Sequence, residues 1–171
     1  MRQTTVETLA TYIGGGITHA STWGQTTASS TSGYLTSNWE EADHSGSSIL
    51  GSSMTEASGV FTFPSTGHWF CTFKLICNEA TGESNAYVTN RIDITLDDSS
   101  YSPFSGGTCF FASSDQDTIK YSSGYCSGIL DVTNVSNVKV KFMYEFQGSI
   151  EMHGNSVDYP TQVSFIRLGD T

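Results

Sequence analysis

The chain has 171 residues, with 7 Lys plus Arg against 17 Asp plus Glu, for a net charge of −10. A surface of that sign repels phosphate backbones and anionic lipid, which disfavours a general nucleic-acid or peripheral-membrane role. Ser and Thr together supply 48 residues and aromatics 12%, a composition too aromatic for a disordered chain and one that favours strands and turns in one domain.

In chain order, Thr4 and Glu7 have the spacing of a capping box, and Val6, Leu9, Ala10 and Ile13 fall at i, i+3, i+4 and i+7. Residues 4–13 are therefore predicted as a short one-sided helix, ended by the three glycines at 14–16, which also give a hinge. A helix this short is marginal alone, so Val6, Leu9 and Ile13 are expected to dock, either on the chain's own domain or on a partner. The start lacks the basic patch and apolar stretch of a signal peptide. No apolar run approaches the ~20 residues of a membrane span.

From Ile17 onward the pattern is strands and turns. Residues 17–58 carry isolated anchors (Trp23, Tyr34, Leu35, Trp39, Ile49, Leu50, Met54) and read as short, irregular edge strands with long loops, where Trp23 and Trp39 pin loops. Residues 59–63 form a strand stopped by Pro64-Ser65-Thr66-Gly67. The clearest alternation follows: Trp69, Cys71, Phe73, Leu75 and Cys77 share a core face, while Phe70, Thr72, Lys74 and Ile76 share the other. Residues 87–96 repeat the pattern, with Ile92, Ile94 and Leu96 opposite Arg91, Asp93 and Thr95, and a turn follows at 97–100. Weaker strands are predicted at 107–113 and 117–121 around a polar turn at 114–117, then at 125–132. Val138, Val140, Phe142, Tyr144 and Phe146 form an inward row opposite Lys139, Lys141, Met143, Glu145 and Gln147, and 161–168 close the chain. Eight or more antiparallel strands with no convincing internal helix fit an all-β, two-sheet jelly-roll sandwich at 18–171, preceded by an arm at 1–17.

Cys71, Cys77, Cys109 and Cys126 include no Cys-x-x-Cys pair, which argues against zinc. The default is four reduced, buried thiols, and a disulfide is the alternative. His19, His44, His68 and His153 show no metal-ligand spacing; His68 abuts a core strand, and His44 and His153 sit among turn residues. With so many serines, a Ser-His-Asp guess is uninformative, and no Gly-x-Ser-x-Gly elbow is present. Asp97, Asp98, Asp115 and Asp117 read as solvated turn residues. No catalytic residue, metal or cofactor is expected, and the chain is not expected to be an enzyme.

The segment Gly59-Val60-Phe61-Thr62-Phe63-Pro64-Ser65-Thr66-Gly67-His68-Trp69-Phe70 resembles the opening of the central strands in complement globular-head and tumour-necrosis-factor-like jelly rolls. Residues 125–132, 138–146 and 163–170 are similar to three later strands of that family, in order. Trp23-Gly24-Gln25-Thr26-Thr27, Asn38-Trp39-Glu40-Glu41-Ala42-Asp43 and Leu50-Gly51-Ser52-Ser53-Met54 resemble small virion proteins of aquatic tailed bacteriophages. The resemblance implies a trimeric jelly roll displayed on the particle, on the capsid or on a tail fibre. The first expectation is a homotrimeric capsid decoration (cement) protein. It would be made in the bacterial cytoplasm and bound outside the shell to the major capsid protein through Val6, Leu9 and Ile13. Phe70, Ile76 and Met143 are expected at the trimer interface. The alternative is a host-recognition knob on a fibre.

Overall fold

A computed structural model describes residues 16–79, 87–111 and 119–171. Its strands are β1 (Ala20–Gln25), β2 (Thr27–Ser29), β3 (Gly33–Tyr34), β4 (Trp39–Glu41), β5 (Thr55–Ala57), β6 (Val60–Thr62), β7 (Gly67–Glu79), β8 (Tyr87–Thr95), β9 (Tyr101–Phe110), β10 (Lys120–Val132), β11 (Lys139–Gln147), β12 (Ile150–Asn155) and β13 (Gln162–Gly169). The described residues contain no helix. The predicted helix at 4–13, with Val6, Leu9 and Ile13, and the predicted turn at 114–117 lie outside them.

All pairings are antiparallel, and they build two sheets. In the first, β10, β7, β13, β1 and β4 lie side by side, while β12 and β2 continue beside the far half of β7. In the second the order is β5, β6, β11, β8 and β9, with β3 also on β11. From β6 to β12 every connection except β8–β9 changes sheet, as a jelly roll requires. Register sets the long axis. Ala20 pairs with Ile166, and Gly169 with His68, so both Gly16 and Thr171 lie toward one end. Glu79, Tyr87, Phe110 and Lys120 lie at the other.

The core alternation predicted for β7 holds, whereas at the end of β8 Asp93 and Thr95 are buried and Ile94 half-buried. Along β7 the odd positions from Gly67 to Glu79 are buried and the even ones half-buried. Phe61, Phe73, Phe142 and Phe165 meet between the sheets with ring centroids 5.3–6.0 Å apart. Such edge and tilted contacts contribute about 0.5–1.5 kcal/mol per pair beyond burial. The β5–β6 hairpin turns at Ser58 and Gly59, whose φ values of 53° and 80° give the doubly positive geometry that matches strand twist.

Several sequence expectations need correction. β1 is interior to its sheet, flanked by β13 and β4, rather than an edge strand. Trp23 and Trp39 put their rings edge-on to Phe61 at 5.6 and 5.3 Å, so they complete the core instead of pinning loops. β9 begins at Tyr101, not 107, and tolerates Pro103 because it is an edge strand with a register shift there. The strand expected at 125–132 is continuous with the described end of that expected at 117–121, in one strand, β10. Gly124 lies between the two expected strands, and a Cβ there would stand 2.3 Å from Asn90 Oδ1, so the glycine permits close approach. Leu96 falls beyond the end of β8 and is exposed. β12 was not foreseen, and it places His153 in a strand.

Candidate interaction surface

Alternation dictates what β7 and β10 show to the outside. With Trp69 through Cys77 turned inward, Phe70, Thr72, Lys74 and Ile76 must face out. On β10 the inward positions are small or apolar (Gly124, Cys126, Leu130), so Tyr121, Tyr125 and Ile129 face out. Register then aligns rows across the sheet: Ile129 beside Phe70 beside Ile166, Ser127 beside Thr72 beside Ser164, and Tyr125 beside Lys74 beside Gln162. Tyr121, Tyr125 and Ile129 are 65%, 58% and 57% exposed. A cavity of about 240 Å³ between Ile76, Tyr121, Ser122 and Ser123 indents this face. The phenol of Tyr121 has an edge contact with His153, 5.4 Å between centroids.

The structure thus brings two of the three expected interface residues, Phe70 and Ile76, onto one face. Met143 is on the second sheet, buried, in register with Tyr34 and Arg91. Sequence reasoning missed Tyr121, Tyr125 and Ile129. Their every-fourth spacing was visible, but dividing the segment into strands at 117–121 and 125–132 hid it.

The second sheet's outer face is different in kind. Asp93, buried, accepts from Arg91 Nε at 2.5 Å and Nη2 at 2.8 Å, and from the Tyr34 hydroxyl at 2.6 Å. That hydrogen bond raises the Tyr34 pKa and Asp93 raises that of Arg91, so both stay protonated. Lys141 Nζ lies 4.1 Å from the Tyr101 ring centroid, and Lys139 pairs with Asp98.

The titratable groups singled out in sequence have structural partners. His19 packs on Trp69, His44 stacks on Tyr159, His68 Nδ1 donates to the Asp170 carbonyl, and His153 Nε2 lies 2.5 Å from Asn78 Oδ1. Asp97 accepts from the Ser99 and Ser100 amides and the Thr95 hydroxyl, which holds its carboxyl well below the usual range. Among the described residues no group of three His, Cys, Asp or Glu side chains is placed to hold a metal ion.

All four cysteines are free thiols; Cys71, Cys77 and Cys126 are buried, but Cys109 is only half-buried. The Cys77 thiol donates to the Ser122 carbonyl at 3.6 Å.

Comparison with solved structures settles the fold. The crystal structure of murine APRIL at pH 5.0 superposes with a TM-score of 0.61 at 10% identity, covering 88% of this chain and 98% of that one. Eiger TNF from S. frugiperda gives 0.61 at 11% identity, covering 89% and 93%. The fold is a tumour-necrosis-factor-like jelly roll. At such identity the likeness concerns the path of the chain alone. No protein-family model and no curated protein matches the sequence.

Proposed function

We propose that this protein is a virion structural protein, a homotrimeric decoration protein on a phage head, which binds rather than catalyses. The observation that carries the assembly is the outward face of β7, β10 and β13. It leaves Tyr121, Tyr125 and Ile129 exposed and Phe70, Ile76 and Ile166 half-buried in a single subunit. Apolar surface of this kind, interrupted by Lys74, Gln162 and small polar side chains and bordered by Asp131 and His68, matches a subunit contact with a polar rim. The jelly-roll fold supports the reading, and the resemblance of the 23–54 segments to phage virion proteins supplies the location. A trimer would carry three times −10, which keeps outward faces soluble and particles apart. Binding only to assembled shells would stabilise them by mass action.

Light scattering on the purified chain should give about 55 kDa, three times 18.5 kDa; a clean monomer at micromolar concentration overturns the trimer. Label against the protein should appear over the head of intact particles, and label at the tail tip instead would select the fibre-knob reading. Deleting residues 1–16 should leave a folded trimer that no longer binds shells, and normal binding by that variant would remove the arm's role.

A further inference from the structure

We propose that the cavity at the β11–β12 crossing is a binding site for one neutral sugar ring of a glycan. The cavity, of about 440 Å³, is lined in part by Ser30, Asn78, Phe146, Gly148, Ile150 and Glu151. The chain passes there from the second sheet to the first in two residues, and Gly148 permits the sharp turn with a φ of 97°. The Tyr144 hydroxyl donates to the Ser29 carbonyl at 2.9 Å, which fixes the backbone beside Ser30. The Phe146 ring stacks on that of Tyr144, 5.7 Å between centroids, so one ring face is backed and the other is left for a ligand. Ile150 is buried, while Glu151 is exposed and in register with Asn78.

The lining decides the chemical class. An aromatic and an aliphatic side chain give an apolar floor, and a carboxylate, a carboxamide and a hydroxyl give a polar rim. A sugar ring has a face of C–H groups and an edge of hydroxyls, so it can lie on Phe146 while donating to the Glu151 carboxylate. His153 Nε2 donates to Asn78 Oδ1 at 2.5 Å, which leaves the amide Nδ2 as the donor to a sugar oxygen. No Lys or Arg is among the described residues of the lining, and Glu151 repels anions, so phosphates and acidic sugars are disfavoured. A purely apolar ligand would leave Asn78 and Glu151 unpaired. The volume falls in the roughly 300–1,000 Å³ range of ligand pockets. Placement suits capture: Ile150 pairs with Glu79 and Gln147 with Tyr87, at the pole opposite Gly16 and Thr171. Tyr87 and the 71%-exposed Phe110 stand at the same pole, 6.3 Å between centroids, and offer a second stacking surface to a longer glycan. On a subunit tethered to a shell by its arm this pole faces outward; that orientation rests on the proposed function, whereas binding itself does not.

The test titrates the purified full chain with the methyl glycosides of glucose, galactose, mannose, fucose and N-acetylglucosamine and follows the backbone amide signals by NMR. At least one should give a saturable shift at Asn78, Phe146 and Glu151, with a Kd on the order of 1 mM for a single ring in an open site. Glu151→Ala, at an exposed position, should weaken that binding about tenfold. Phe146→Leu, which keeps apolar bulk but removes the stacking face, should weaken it several-fold while the circular dichroism of a β protein persists. N-acetylneuraminic acid and methylammonium should shift nothing at the cavity. No saturation by any of the glycosides up to about 50 mM, saturation mapped to another surface, indifference to either substitution, or methylammonium binding in preference to every sugar would each overturn the proposal. Label at the head or at the tail tip alters none of these outcomes, and their failure leaves the head assignment standing.

Discussion

The two sheets of this sandwich present opposite outer faces. On the second, the charges around Asp93 are answered inside the subunit: Asp93 holds Arg91 and Tyr34, Asp98 holds Lys139, and Lys141 sits over Tyr101. On the first, Tyr121, Tyr125 and Ile129 stand in solvent with Phe70 and Ile76 half-covered beside them. A face whose central charges are already paired gains less there from a partner, while one that leaves aromatic and branched side chains wet at its centre gains the free energy of removing them from water, about 25 cal/mol per Å². The difference teaches that the direction of association is written in which sheet lacks internal partners, not in the net charge of the whole.

The sharpest way to break that contrast is a charge in the middle of the first face. Ile129→Asp should abolish self-association, dropping the scattering mass to one subunit while the circular dichroism of a β protein persists; an unchanged trimer would show that this face is not the contact. Beneath both faces lies the shared aromatic core. Phe142→Ala should lower unfolding free energy by about 3–5 kcal/mol in urea titration, since the cavity falls between both sheets. On the second face, Asp93→Ala strands Arg91 and Tyr34 and should cost about 1–3 kcal/mol without altering the mass of the assembly. A change in assembly there would erase the distinction between the faces.

The smallest effect concerns Tyr159, whose ring lies in the space left by Gly24 and whose hydroxyl donates to Glu40 Oε2 at 2.9 Å. Burial, then Glu40 and Asp43, push this phenol from the usual 10.0 up to about 12. A raised folded pKa stabilises the native state fully below the unfolded value, and that contribution is lost as pH climbs through the folded one. Stability should therefore decline between about pH 10 and pH 12, and Tyr159→Phe should flatten that part of a pH–Tm profile.

Much of the architecture was legible because side-chain alternation is a local signal. The core rows of β7 and β11 could be read directly. What escaped were features set by distant neighbours. Gly124 looks like punctuation until Asn90 is known to lie against it. β1 looks like an edge until β13, at the far end of the chain, pairs with it. The proposed contact face was half legible for the same reason: β7 alternates plainly and offered Phe70 and Ile76, whereas β10 hides its row among glycines and serines. Met143 was placed on an outward row correctly, but its cover, Tyr34, comes from more than a hundred residues earlier.

The register of β1, β7 and β13 gives the subunit a polarity that engineering can use. Chain entry and exit share one pole, and the β7–β8 and β9–β10 connections leave from the opposite one. A subunit tethered by either terminus would therefore hold out whatever peptide is grafted between Glu79 and Tyr87, like a lamp on a post, with the sandwich itself as the spacer.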